Sequence, residues 1–294
     1  MDTEGERLVQ AVMDVDLADP ASRTRARRMA ESLTAGQVTE AKSRMLARRF
    51  RALVEADAGS EQIAEDLERL ASRMRQLDSQ YAGGGILRRF FPRKERTAEQ
   101  FVTAREDLKA IVSSLTRSSA VLRQNSVALE GFEADAAEEA RHVAAGLTRV
   151  HDVTSALSAR VDAAWSATEK ADVAQFVERE ILVPLQEHHQ HLLSLRAVNQ
   201  QMLFSLSVLR ENNEALIHNI QQITRATKAI LAATSLRTTP DGPASDDAAL
   251  NDSLGELSRA LDAHAAWRKE SQAKRSEALR DLQDLSGETF ETRV

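Results

Sequence analysis

Four neighbouring residues, Glu187, His188, His189 and His191, carry side chains that commonly bind metal ions. In a helix, His188 and His191 lie one turn apart, and Glu187 precedes His191 by four positions. A metal ion would need further ligands from elsewhere in the chain, and no HExxH motif accompanies the cluster. We therefore expect no metal centre here. We interpret His188 as a histidine packed at a helix seam and its two histidine neighbours as exposed.

A second candidate for chemistry is the basic segment over residues 21–51. Two interpretations remain open. The segment either binds an anion or a nucleic acid, or it is a solvated helix face whose charges balance those of acidic neighbours such as Glu61, Glu65 and Asp66. The arginines of this candidate patch are Arg23, Arg25, Arg27, Arg28, Arg44, Arg48 and Arg49.

Residues 83–96 combine three glycines with paired apolar and basic side chains. Pro92 prevents a long helix through this segment. Such a segment can contact a membrane, with aromatic rings in the acyl boundary and cations at anionic headgroups. The alternative is a linker whose rings dock on the rest of the protein. The residues of the predicted membrane contact are Ile86, Leu87, Arg88, Arg89, Phe90, Phe91, Arg93 and Lys94.

The sequence offers little for covalent or nucleotide chemistry. Its 294 residues include no Cys, which excludes a thiolate nucleophile and a Cys-bound metal. The glycines at 83–85 lack the Lys-Ser/Thr ending of a phosphate loop, and no nucleophile elbow occurs. We expect carboxylates such as Glu138 and Glu139 on solvated helix faces rather than as a catalytic pair. The sequence therefore predicts no cofactor and a protein that is not an enzyme.

The element around which the other helices are expected to pack is a long helix over residues 185–236. Its apolar residues return every seven positions, at Leu195, Met202, Leu209, Leu216, Ile223 and Ile230. A second series completes the pattern of a helix that packs on other helices: Leu192, Asn199, Leu206, Asn213, Ile220 and Thr227. We expect Leu209 and Leu216 in the core. Asn199 and Asn213 either fix the register as buried polar residues or are partly exposed beside a thin seam.

The composition predicts an all-α fold. Hydrophobic residues make up 42% of the chain and aromatic residues only 4%, with 11 Gly and 5 Pro. We predict an elongated antiparallel bundle or coiled coil of long helices, with a smaller N-terminal helical region. The expected parts are an N-terminal region (1–82), a basic aromatic linker (83–97), a long-helix core (98–236), a flexible loop (237–247) and a C-terminal helix that packs back on the bundle (248–286).

Three features should shape the long-helix core. The seven-residue seam that includes Leu122 and Leu129 changes frame near Gly131, which indicates a turn or a phase slip. A corner is expected at residues 165–172. Pro184 should lie in a first turn, or at a kink in a helix that begins near Ala174.

Charge and hydropathy also limit the location and the partners. The net charge of −6 disfavours general nucleic-acid binding. The N-terminus lacks the apolar stretch of a secretory signal, and no run approaches the ~20 apolar residues that span a bilayer. We expect a cytoplasmic protein that contacts the inner membrane peripherally.

Two stretches carry a family resemblance. The first runs from Ile86-Leu-Arg-Arg-Phe-Phe into a helix that closes on Asn-x-x-x-Leu-Glu at 125–130, and the second contains Gln201-Met202, Glu211-Asn212-Asn213 and Ile220-Gln221. Together they resemble the bacterial toxic-anion (tellurite) resistance family, often called TelA-like. Where that family commonly has a Pro-Gln-Ile-Arg turn, this chain has Phe204-Ser-Leu-Ser.

The resemblance implies a bacterial protein linked to resistance to tellurite or to cell-envelope stress, with no established catalytic residues. We therefore predict a non-enzymatic helical scaffold whose partners are other proteins of a resistance or stress system, and which self-associates through its helices. The alternative is a module that binds an anion or a nucleic acid through residues 21–51.

Overall fold

Long α-helices dominate the protein. The computed structural model describes residues 3–34, 37–55, 59–81, 98–166, 170–236 and 246–291. Its elements are α1 (Thr3–Met13), α2 (Pro20–Thr34), α3 (Gln37–Glu55), α4 (Gly59–Tyr81), α5 (Ala98–Trp165), α6 (Ala171–Val177), a π-helical turn (Glu178–Leu182), α7 (Val183–Leu236) and α8 (Asp246–Glu291). These ranges contain no β-strand, so the predictions of an all-α fold and of a long-helix bundle are confirmed.

Helix α2 begins at a residue pair that suits a helix start. The carboxylate of Asp19 accepts hydrogen bonds from the backbone N–H groups of Ala21 (2.9 Å) and Ser22 (3.0 Å). These donors have no partner within the helix, so the Asp19 side chain acts as an N-cap. Pro20 occupies the first helical position, where its missing N–H costs nothing.

Helix α5 runs for 68 residues and passes through Gly131 without a break. The predicted change of frame near Gly131 is wrong, because Leu129, Ala136 and Val143 continue a single seven-residue series and all three are buried. Ala136 is a small residue, so a search for large apolar side chains misses it. The predicted corner follows at the end of α5, since that helix ends at Trp165 and α6 begins at Ala171.

A π-helical turn precedes Pro184. The backbone N–H of Val183 donates to the carbonyl oxygen of Glu178, five residues earlier, rather than to the residue four earlier as in an α-helix. A proline inside an α-helix has no N–H, and its ring collides with the carbonyl four residues before it. The wider turn supplies room immediately before the ring. The helical path therefore starts at Ala171 and continues past Pro184. Pro184 thus lies inside a helical segment that begins near Ala174, which is the second of the two positions predicted for it.

Helix α7 buries both of its predicted series. Leu195, Met202, Leu209, Leu216, Ile223 and Ile230 are all buried. In the second series every member is buried except Asn213, which is half-buried. Burial of a stripe that repeats every seven residues is what a helix does when it packs along other helices.

The chain divides into two compact units. Unit 1 comprises Met1–Leu53, Gly131–Leu206 and Ala278–Val294. Its core combines side chains of α1, α2, α5, α6 and α7, and Val12, Leu157 and Leu185 within it are fully buried. A further cluster joins α5 to α7, with Val150 and Leu195 among its members.

Unit 2 comprises Val54–Glu130 and Ser207–Glu277. Its core takes side chains from α4, α5, α7 and α8, including Leu70, Leu115, Ile223 and Leu257. Each of these four residues is shielded from solvent. Segments distant in the sequence therefore share one core.

Two predicted segments lie outside the described residues: the linker at 83–97 and most of the loop at 237–247. The C-terminal helix is longer than the predicted 248–286, because α8 extends from Asp246 to Glu291. No helix in the described ranges is both long and apolar enough to cross a membrane.

Candidate functional site

Three helices of unit 1 bring polar residues together in the core. Ser43 in α3, Glu139 in α5 and Asn199 in α7 are all buried, with exposed fractions of 0%, 1% and 0%. The helical period explains why. Glu139 falls between Ala136 and Val143 on the buried stripe of α5. Ser43 and Asn199 occupy equivalent positions on the buried stripes of their own helices.

The three side chains form a chain of hydrogen bonds. The Nδ2 of Asn199 donates to the Oγ of Ser43 at 3.2 Å, and that hydroxyl donates to Oε1 of Glu139 at 3.3 Å. A hydroxyl has one proton and two lone pairs, so Ser43 can serve both neighbours at once. The network joins α3, α5 and α7 within unit 1. We call Ser43, Glu139 and Asn199 the buried triad.

A lysine compensates the charge of the triad. The Nζ of Lys42 lies 3.3 Å from Oε2 of Glu139, and the Lys42 side chain is 34% exposed. His142, one turn along α5, places Nδ1 4.0 Å from the same oxygen. A carboxylate with so little exposure is costly without a cation or hydrogen-bond donors. Lys42 lies beside Ser43 in the sequence, so α3 provides both the cation and the hydroxyl.

A second polar pair joins α3 to α7. His191 lies with Nε2 3.1 Å from Oε2 of Glu40, and it is buried. Arg44 bonds the same carboxylate at 2.8 Å from the next turn of α3. The guanidinium of Arg44 also lies over the ring of Phe290 in α8, 5.3 Å from its centroid. Glu40 therefore connects a cation of its own helix to a histidine of another.

The triad is placed to join helices. Its hydroxyl and carboxylate have almost no exposed surface, so a solute cannot reach them while α3 stays packed. The Oδ1 of Asn199 is buried and has no hydrogen-bond partner among the described residues. Buried polar groups that are satisfied in only one arrangement favour that arrangement over shifted ones. The triad thus has a structural role: it favours one packing of the three helices.

Several sequence predictions for this region need correction. Glu139 was expected on a solvated face, and it is buried. His191 was expected to be exposed, and it pairs with Glu40 in the core. His188 and His189 are half-buried and Glu187 is exposed. Among the described residues no group of three or more His, Asp or Glu side chains is placed to hold a metal ion.

The arginines of the candidate patch divide into two groups. Arg27 pairs with Glu180 at 3.0 Å, and Arg49 lies 3.9 Å from Asp135, with each guanidinium above an aromatic ring. Arg44 pairs with Glu40 and lies over the ring of Phe290. Arg25, Arg28 and Arg48 are exposed, and Arg23 is half-buried.

The acidic neighbours expected for these arginines have other surroundings. Asp66 is buried and accepts a hydrogen bond from Ser114, and the Glu65 carboxylate lies 3.6 Å from Arg69. The carboxylates that pair with the patch are instead those of Glu40, Asp135 and Glu180. The proposed membrane residues at 86–94 lie outside the described residues.

Unit 2 contains a groove of about 370 Å³ between α4 and α8. Its lining comprises Ala64, Leu67, Glu68, Ala71, Leu261, His264, Ala265, Arg268, Lys269 and Gln272. His264 is 7% exposed, and its ring centroid lies 5.5 Å from that of Trp267. Burial, and then the positive charge of Arg268, lower the pKa of His264 below its usual value. Folding therefore shifts His264 toward its neutral form relative to the unfolded chain.

Sequence reasoning identified Asn199 but missed its two partners. A signal for Glu139 was present, because it lies three positions after Ala136 on the seven-residue stripe of α5. The sequence signal for burial of Ser43 was weaker, since serine is common on exposed helix faces. Leu209 and Leu216 are buried, and Asn213 is half-buried.

Comparison with protein families gives a match that covers most of the chain. A family model described as toxic anion resistance protein (TelA) matches residues 32–236, a range that includes the whole triad, Lys42, Glu40 and His191. No curated protein and no solved structure matches the chain.

Proposed function

Because this chain belongs to the toxic anion resistance protein (TelA) family, we propose that it serves such resistance as a non-enzymatic helical scaffold. The scaffold holds other proteins of a resistance or stress system in place. The observation that carries this proposal is the buried triad, because its polar groups form hydrogen bonds that join α3, α5 and α7. A protein that presents partners needs a fixed helix arrangement, and such a network favours one arrangement.

The absence of Cys from the sequence supports an indirect mode of protection. The thiolate is the form of cysteine that reacts with electrophiles and binds soft metals. A chain without Cys cannot reduce tellurite by thiol exchange or hold it as a thiolate adduct. We propose that protection comes through other proteins instead.

We place the scaffold in the cytoplasm, at the inner face of the membrane. The support is in the sequence: Arg88, Arg89, Arg93 and Lys94 alternate with apolar residues that include Phe90 and Phe91. Basic residues near an anionic surface contribute roughly 1 kcal/mol each, and inserted rings add apolar burial. We also propose that the protein self-associates through its helices.

A tellurite challenge in bacteria that lack their own family member tests the proposal. We compare Glu139→Gln, which removes the buried charge, with Leu157→Ala, which only removes core packing. If the protein is a scaffold, growth in tellurite should follow the folded fraction of each variant, whichever residue is changed. A Glu139→Gln protein that melts like the wild type but gives no protection would assign Glu139 a chemical role.

A purified-protein assay addresses catalysis directly. The protein is incubated with tellurite and a non-thiol electron donor, and elemental tellurium is measured against a protein-free blank. We expect no excess over the blank. Sustained turnover would replace the scaffold with an enzyme.

A second candidate function, anion binding, is favoured by the exposure of Arg25, Arg28 and Arg48. Their replacement by Gln should leave the fold intact while removing three cations. If the segment binds nucleic acid, the affinity of the unaltered protein should fall steeply with salt, because bound phosphates release counterions. Affinity for tellurite or DNA that the triple change leaves unaltered would exclude these arginines.

A further inference from the structure

Two histidines from different helices of unit 1 face each other. The ring of His151 in α5 lies with its centroid 5.4 Å from that of His189 in α7, and the ring planes are inclined by 32°. Gly146 lies opposite Leu192 in the same pair of helices, because a Cβ built on that glycine would be 3.9 Å from Leu192 Cδ1. The helices are therefore antiparallel and close at this level. His151 is exposed and His189 is half-buried, so solvent can reach the pair.

The separation of the rings suits a shared metal ion. With a Zn–N length of about 2.0–2.1 Å and the radius of an imidazole ring added, each centroid would lie roughly 3.2 Å from the ion. Two centroids 5.4 Å apart then subtend roughly 115° at that ion, close to the tetrahedral angle that Zn²⁺ prefers. The ion would bind one nitrogen of each ring.

We propose that His151 and His189 form a cross-helix site for a divalent transition-metal ion, such as Zn²⁺, Ni²⁺ or Cu²⁺. Imidazole nitrogen suits all three ions, and the expected order of affinity places Cu²⁺ first. Water completes the coordination, as the described residues offer no group of three or more His, Asp or Glu at one point. The site is therefore weaker and more open than a four-ligand structural zinc site.

The site exists only when α5 packs on α7. His151 and His189 are distant in the sequence and belong to separate helices, so the unfolded chain does not hold them together. An ion that binds the folded chain in preference to the unfolded one stabilises the folded chain by RT ln(1 + [L]/Kd), where [L] is the concentration of the free ion, so the stabilisation rises with ion concentration. Metal binding at this point would hold the two helices in register. This property is separate from the proposed scaffold function and can fail without affecting it.

Calorimetric titration with Zn²⁺, Ni²⁺ and Cu²⁺, beside melting curves at graded ion concentrations, tests the site. The variants are His151→Gln and His189→Gln. The matched control is His218→Gln, which removes an exposed histidine of α7 that bonds only Gln222 in the described structure. We expect saturable binding of one ion per chain and a melting temperature that rises with ion concentration. Each site variant should bind at least about tenfold more weakly, and the control should bind as the wild type does.

Two further measurements make the outcome decisive. Melting of each variant without metal shows whether the fold is kept, and electron paramagnetic resonance of the Cu²⁺ form counts the nitrogens bound to the ion. Two equivalent nitrogens in the wild type, reduced to one in either variant, support the site. No saturable binding to the wild type, or equal binding by both site variants and the control, would overturn it.

Discussion

Asn199 of α7 donates a hydrogen bond to Ser43 of α3 over 3.2 Å, although the two residues lie 156 positions apart. The partnership is unequal. The hydroxyl of Ser43 is used on both sides, because it also donates to Glu139, whereas Oδ1 of Asn199 has no partner among the described residues. This inequality leads to different expectations for the two residues.

Removing Ser43 should cost more than removing Asn199. Ser43→Ala leaves a buried amide and a buried carboxylate each without one partner, and we expect a loss of roughly 1–3 kcal/mol in the free energy of unfolding. In Asn199→Leu, the leucine side chain has the same branching as asparagine. The substitution removes the unpaired oxygen together with the N–H donor, so the free energy of unfolding should change by no more than about 1 kcal/mol. Urea unfolding of both variants measures the difference. The reverse order would contradict the hydrogen-bond chain.

Lys42→Met should destabilise the protein by isolating the Glu139 carboxylate. Breaking a fully buried ion pair costs about 3–5 kcal/mol, and because Lys42 is 34% exposed we expect a smaller loss of roughly 1–3 kcal/mol. Adding Glu139→Gln to Lys42→Met should restore part of the loss, since the unpaired charge is then gone. Lys109→Met, at an exposed position of α5, is the matched control in urea unfolding. Equal effects of the two lysine changes would show that Lys42 does not compensate Glu139.

Leu216→Ala tests the core of unit 2. Leu216 is 8% exposed and packs in the same cluster as Ile220 and Ile223, so its truncation should cost about 2–5 kcal/mol. The control is Val127→Ala, because Val127 is 66% exposed and should change stability by less than ~0.5 kcal/mol. Thermal and urea unfolding give both values. A loss at Leu216 as small as that at Val127 would mean that this stripe of α7 is not packed as described.

The free energy of unfolding should decrease in mild acid because of His264. Its pKa is lowered in the folded protein by burial and by Arg268, so the unfolded chain binds more protons between the folded pKa and the ordinary value of 6.5. The free energy of unfolding therefore decreases as pH falls through 6.5 toward the folded pKa. His264→Gln should show a smaller decrease between pH 7.5 and 5.5 than the wild type does. Parallel curves for wild type and His264→Gln would exclude this contribution.

Membrane contact should need both rings and cations. Phe90→Ser with Phe91→Ser should weaken binding to vesicles at any salt concentration, because ring burial is lost. Replacing Arg88, Arg89 and Arg93 by Gln should weaken binding mainly to anionic vesicles at low salt, where screening is least. Co-sedimentation with liposomes measures both effects. If the segment is instead a docked linker, the Phe changes should lower the melting temperature and leave sedimentation unchanged.

The sequence by itself determined which faces of the long helices are buried. The seven-residue spacing identified the stripes of α7, and Leu195, Leu209 and Leu216 are all buried. This works because the helical period relates sequence spacing to direction within a single element. The same rule would have carried the α5 stripe through Ala136, where attention to large side chains alone broke the series.

Only the tertiary structure decided which polar residues meet. The sequence left Asn199 as either a buried amide or a partly exposed one, and it contained no sign that Ser43 and Glu139 would be its neighbours, or that His151 would face His189. Such pairs depend on the relative register of separate helices. Many side chains set that register together, through close packing that spacing within one helix does not record.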